Sequence, residues 1–144
     1  MVELSDSKRT EYSRYSPIFW RKAKGASEKQ LPFFQAQLGR DQNIVLVAEM
    51  ADRVEGFIIA GIVGAPPVYD PGGKVCMVDD FTVSSPELWG TLGRALLTDA
   101  STEAKARGAV LSVVVCGHLD KAKRLMLQEN GSTIASEWFV EPIA

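Results

Sequence analysis

Two adjacent carboxylates, Asp79 and Asp80, interrupt an otherwise apolar run, Val75–Val83 (VCMVDDFTV). A carboxylate in such a setting can act as a general base towards an amine, which as an alkylammonium of pKa near ~10 is no nucleophile at neutral pH. Adjacent strand residues point to opposite faces, so one of the pair is expected to face a cleft and work through a water. The alternative is structural, with both carboxylates satisfied by arginine, lysine or backbone donors. Tyr69 and Asp70, in the stiff stretch Ala65–Gly73 (APPVYDPGG), can greet a cationic amine or merely lie on a rigid connector. Cys116-Gly117-His118 invites a nucleophile or metal reading. No convincing further zinc ligands stand nearby, and a packed thiol beside a surface histidine is the favoured account. No metal is expected.

The elements that must position these residues can be read from periodicity. Residues 1–15 are polar and read as an arm, leaving 16–144 as one domain. Ser16-Pro17 looks like a helix start through Phe19, Trp20 and Ala23, and Ser27–Gln30 like a capping box for a second helix bearing Leu31, Phe34 and Leu38. Ile44–Met50, Gly56–Val63 and Val75–Val83 read as three strands. Leu88, Leu92, Leu96, Ala100 and Ala104 mark a long amphipathic helix stopped by Gly108. Ala109–Cys116 is a wholly apolar strand. A helix follows through Leu119, Ala122, Leu125 and Met126, and Thr133–Val140 closes the chain as a last strand. This order predicts an α/β (α+β) fold, a central mixed and mostly antiparallel sheet flanked by helices.

Composition narrows the function classes. The 144 residues are 46% hydrophobic and 24% charged with a formal net charge of −2, which suits a globular domain and gives no electrostatic footprint for nucleic acid. Lys8, Arg9, Arg14, Arg21, Lys22 and Lys24 gather near the start, but acidic residues lie among them. No apolar stretch approaches the ~18 residues of a membrane span, the first residues lack the apolar core of a secretory signal, and Cys76 and Cys116 read as reduced thiols. A cytoplasmic protein without membrane partners is the expectation.

The element order, and above all VDDFTVSSPELWGTLGRALL at 78–97, resembles the GNAT acetyltransferase superfamily over about residues 16–140. Members carry an acidic residue on a central strand, then a phosphate-binding turn written Q/R-x-x-G-x-G/A, then a long helix. Here Leu88-Trp89-Gly90-Thr91-Leu92-Gly93 occupies the turn, with Leu88 for Gln/Arg, Thr91 for Gly, and only Gly93 retained. The resemblance implies acetyl-CoA or a related acyl-CoA as co-substrate and an amine acceptor, small molecule or protein, of unspecified identity. It favours Asp79 as the base. It implies pairing of the pantetheine arm with backbone groups of Phe81, Thr82 and Val83, where the alternative is an ordinary paired strand. The pyrophosphate would sit on the 88–93 turn at the helix start, aided by Arg94; the alternative is that Ser85-Pro86 caps the helix and Trp89 fills core. Asp120 stands where the family's last helix often begins with Asn, and Leu127 where a Tyr often protonates the departing thiolate. The rival reading is a catalytically degenerate acyl-CoA-binding or protein-interaction module. The unpaired last strand, with Trp138 and Phe139, suggests a homodimer in which such strands meet.

Overall fold

A computed structural model describes residues 1–143. The element order is α1 (Val2–Tyr15), α2 (Ala26–Leu38), β1 (Asn43–Met50), β2 (Arg53–Val63), β3 (Lys74–Val83), a short 3-10 turn (Pro86–Gly90), α3 (Leu92–Ala106), β4 (Ala109–Val114) and α4 (Lys121–Glu129). The four strands lie in sequence order in one sheet. The first two pairings are antiparallel and β3–β4 is parallel, as the crossover through α3 requires. The predicted mixed sheet is thus present, with helices on both faces.

The main core lies between the sheet and α3 and α4. Ile58, Cys76, Val78, Phe81 and Val83 meet Leu96, Leu97, Ala100 and Ala104 of α3 and Met126 of α4. The spacing of four along α3 puts its small and branched residues on one stripe, as the periodicity predicts. Across the sheet a smaller cluster joins Phe34 of α2 to Phe57 and Ile59 of β2, flanked by Met1 and by Val2 and Leu4 of α1.

Five expectations change. Residues 2–15 are a helix, α1, that buries Ser5 and Tyr12, instead of an arm. Beyond Val2 and Leu4 its interior-facing residues are polar or amphipathic, so no continuous apolar stripe announces it. Residues 17–20 form turns, and the second helix starts after Gly25, in the left-handed conformation at φ 69°, instead of at a Ser27 box. Ser27 Oγ donates to Asp6 of α1 at 2.7 Å, so that hydroxyl ties the two helices together. The face of α4 turned inward carries Lys123, Met126 and Leu127, while Leu119 and Leu125 are exposed. The segment 133–140 forms no strand; the sheet ends at β4, and Trp138 and Phe139 are 79% and 92% exposed.

Candidate active site

The register between β2 and β3 slips by one residue where Ile59 pairs with Asp80 and Ala60 with Val78. Asp79 is the extra residue of a β-bulge. The slip reverses the face on which successive side chains fall. Cys76 and Val78 before it, and Phe81 and Val83 after it, all reach the main core. Asp80 and Thr82 therefore turn to the α1/α2 face, and the bulged Asp79 lines the same cavity there. The alternation rule had set these carboxylates on opposite faces; the bulge suspends it and brings them together. Asp79 is exposed and Asp80 half-buried. Burial pushes the Asp80 carboxyl above the usual carboxylate range; Arg9 pulls it back, the neighbouring Asp79 adds to the rise, and Lys123 pulls it down.

The same slip opens the sheet. Val115 N–H donates to Val78 O at 3.2 Å, the last backbone bond between β3 and the chain beyond β4. The two strands part there, five residues before the expected divergence after Val83. In a strand the N–H and C=O of one residue point the same way, so Phe81 and Val83 present backbone groups to the gap, and Thr82 points towards β2. The gap is partly filled by side chains. Lys123 Nζ donates to Phe81 O at 3.1 Å and to Val115 O at 2.8 Å, with the Phe81 and Trp89 rings 4.9 and 5.3 Å away. Its burial is almost complete and brings its pKa down to about 8. Tyr12 Oη of α1 accepts from Gly117 N–H at 3.0 Å and donates to Asp120 Oδ2 at 3.0 Å. Burial and the Asp120 charge push its phenol well above the usual range.

Asp120 is a structural hub. It caps α4 by accepting from Lys123 N–H at 3.2 Å and pairs with Lys8 Nζ at 2.6 Å. Lys8, Tyr12 and Asp120 separate two hollows. One, of about 580 Å³, lies under α1 and is lined by Arg9, Trp20, Phe33, Phe57, Asp79 and Asp80 among others. The other, of about 330 Å³, runs between α1 and the stretch from Thr82 to Pro86 at the end of β3, with Trp89 and Asp120 in its wall.

The turn residues are less uniform than their motif suggests. Trp89 is buried edge-on to Phe81, ring centroids 4.9 Å apart. A Cβ on Gly93 would lie 2.6 Å from the Trp89 ring, so that glycine is needed for packing. A Cβ on Gly90 would meet open space. The N–H groups of Leu88 and Thr91 bond within the turn, to Ser85 O and Leu88 O. Those of Leu92, Gly93 and Arg94, opening α3, have no acceptor among the described residues and remain free for an anion. Arg94 itself is engaged elsewhere, with Nη2 2.6 Å from Glu129.

Tyr69 and Asp70 are not brought to the cavity. Their loop precedes β3 and Asp80 lies near its other end, about 20 Å along at ~3.3 Å per residue. Asp70 Oδ1 accepts from Gly72 N–H at 2.9 Å and serves the turn itself. Cys116 is half-buried with its thiol pushed up by burial, and His118 stands edge-on to Tyr15. Arg9, Tyr12 and Lys123 line the cavity beside the acidic pair although sequence reading assigns them no chemistry, and of the pair it is Asp80, not the favoured Asp79, that is half-buried there. Two signals mark them: the step of three between Val78 and Phe81 in an otherwise alternating strand, and a lysine on the apolar stripe of α4.

No family model matches the chain, and no curated protein does. Solved structures do. A single-substitution mutant of BH1408 protein from Bacillus halodurans is similar at a TM-score of 0.82 and 14% identity, covering 99% of this chain and 91% of that one. Aminoglycoside N-acetyltransferase AAC(6')-Iy in complex with CoA matches at TM-score 0.65 and 14% identity, over 81% of this chain and 87% of its own. Aminoglycoside 6'-N-acetyltransferase AAC(6')-IG from Acinetobacter haemolyticus matches at 0.64 and 13%, over 96% and 94%. The chain therefore has the fold of the GNAT-type acetyltransferases.

Proposed function

We propose that the protein is an acyl-CoA-dependent N-acyltransferase that moves an acetyl or similar acyl group to an amine. The observation that carries this reading is the bulge at Asp79, which parts β3 from β4 and turns a half-buried carboxylate into the adjoining cavity. Asp80, with its raised pKa, takes the proton of the incoming ammonium, and Asp79 at the mouth attracts the cation. The free amine attacks the thioester carbonyl carbon, held by backbone groups of Phe81 and Val83. The C–N bond forms and the C–S bond breaks. The thiolate takes a proton from Lys123, which stands one helical turn before Leu127 and reaches the same gap, and the second proton of the amine nitrogen leaves through solvent, which reprotonates the lysine. The open amides of Leu92, Gly93 and Arg94 suit the pyrophosphate.

Calorimetric titration with acetyl-CoA, using CoA for comparison, tests the reading: micromolar binding supports it, and no binding to a folded sample overturns it. One observation favours the rival, an acyl-CoA-binding or interaction module without catalysis. Lys123 and Tyr12 already use the Phe81 carbonyl and the Gly117 amide that a bound thioester arm would approach. Binding without turnover against any amine would establish that alternative.

We also propose a homodimer in which segment 133–140 of one copy pairs along the free edge of β4 in the other. Leu111, Val113 and Val115 expose a stripe of apolar side chains there, and Ile134, Trp138 and Phe139 offer matching surface. Size-exclusion chromatography with light scattering checks it; a monomer mass at micromolar concentration overturns it.

A further inference from the structure

The cavity under α1 holds more positive charge than proton removal requires. Lys8, Arg9, Arg21, Lys22, Lys29 and Lys123 line it, against Asp79 and Asp80. Several of these cations are committed. Lys22 pairs with Asp6 at 2.6 Å, Lys8 with Asp120 at 2.6 Å, and Lys123 donates to two carbonyls.

Arg9 is not fully committed. Its Nη1 donates to Ser5 Oγ at 2.8 Å. Its Nη2 stands 3.6 Å from Asp6 Oδ1, beyond hydrogen-bond reach, and Asp6 is held by Lys22 and Ser27. The Nε and Nη2 atoms of Arg9 are buried and have no hydrogen-bond partner among the described residues. These two nitrogens form one edge of the guanidinium, the edge whose parallel N–H bonds match a carboxylate. Buried donors left unpaired are costly, and two side by side call for an explanation. Arg9 and Asp80 line the same cavity, so an anion on this edge would have the proposed base as a neighbour.

The remaining wall is aromatic, with Phe19, Trp20, Phe33 and Phe57. We infer that the acceptor is an amino acid with an apolar side chain. Its carboxylate takes the Nε–Nη2 edge of Arg9, its amino group faces Asp80, and its side chain lies against the aromatic wall. A polycationic amine would meet Arg9, Arg21 and Lys29, and a simple monoamine would leave the arginine edge unpaired. The volume of about 580 Å³ is within the usual range for a small-molecule site. The chemistry rests on the transferase reading, whereas the binding does not.

The test titrates the full-length protein, with and without CoA, with phenylalanine, leucine and methionine, and with phenylalaninamide and phenethylamine as analogues lacking the carboxylate. At least one amino acid should bind, and phenylalanine should exceed its amide by about 10- to 100-fold. Arg9→Gln should remove that preference. Arg9→Lys, which keeps the charge without the fork, should retain only part of it. Equal binding of phenylalanine and its amide, no binding of any of the three amino acids, or an unchanged preference in folded Arg9→Gln or Arg9→Lys overturns the assignment. The wild-type comparison decides even where a variant fails to fold. A parallel acetyl-CoA titration keeps the two ideas apart: amino-acid binding with no acetyl-CoA binding upholds the carboxylate site and sinks the transferase.

Discussion

On the α3 face of the sheet, Ile58, Val78, Phe81, Leu96 and Met126 are all less than 5% exposed and touch one another. On the α1/α2 face the corresponding layer contains Asp80, Thr82, Arg9 and a cavity, with an apolar cluster reduced to Phe34, Phe57 and Ile59. Both layers hang on the same two strands. Packing for stability lies on one side of the sheet and the proposed chemistry on the other, and a single inserted residue, Asp79, makes the division. Without the bulge, Phe81 and Val83 would leave the core and Asp80 would enter it.

The largest effect expected is on turnover: Asp80→Asn should lower kcat/KM by about 10²–10⁴-fold in an acetyl-transfer assay with a competent amine. The same variant should not lose stability at neutral pH. A carboxyl whose folded pKa is raised stabilises the fold least above that pKa, so removing its charge leaves the denaturant midpoint equal or higher. The acid limb of the wild-type rate profile should lie above the ordinary carboxylate range. A midpoint that falls steeply with Asp80→Asn would mean that this face, too, is built for stability.

Next comes the opposite face. Ile58→Ala should cost about 2–5 kcal/mol in denaturant unfolding, against less than about 1 kcal/mol for Phe33→Ala on the half-exposed cavity wall. Equal losses would mean that the two faces bear the fold alike. Gly93→Ala should cost about 1–3 kcal/mol through the Trp89 ring, although alanine is the better helix former. The smallest effect is a slope. The folded pKa of Lys123 lies near 8, below its ordinary 10.5, so between those values the unfolded chain holds the proton that the folded one has shed. Stability then rises with pH across that window by this lysine's contribution. The buried thiols Cys76 and Cys116 push the other way, so the quantity to measure is the difference between wild type and Lys123→Met, which should grow in favour of wild type from pH 8 to 10.

The sheet and α3 were legible because their side chains face one apolar layer, and period alone locates them. Two kinds of feature were not. Helix α1 buries a serine and a tyrosine, so no continuous hydrophobic stripe betrays it, and part of its order comes from partners over a hundred residues away. The bulge is a one-residue fault in a period of two; it is written in the spacing of Cys76, Val78, Phe81 and Val83, but becomes decisive only when β2 supplies the register. The strand expected at 133–140 fails for the reverse reason. Its alternation is adequate, yet no neighbour among the described residues receives it. Of the proposed site, the acidic pair and the helix start were readable locally, whereas Arg9 and Lys123 enter through tertiary contacts that no local pattern records.

The junction of Lys8 and Tyr12 with Asp120 and Gly117 also sets an order of events during synthesis. It closes a loop of more than a hundred residues, among the least local contacts in the chain. A 14-residue helix with little amphipathic character is marginal by itself, and at 5–20 residues per second α1 waits several seconds for Asp120 to be made. Contacts of α1 with Lys22, Ser27 and Phe34 can form earlier, but its latch on Asp120 closes only after that residue has been made, so the roof of the cavity is fixed late.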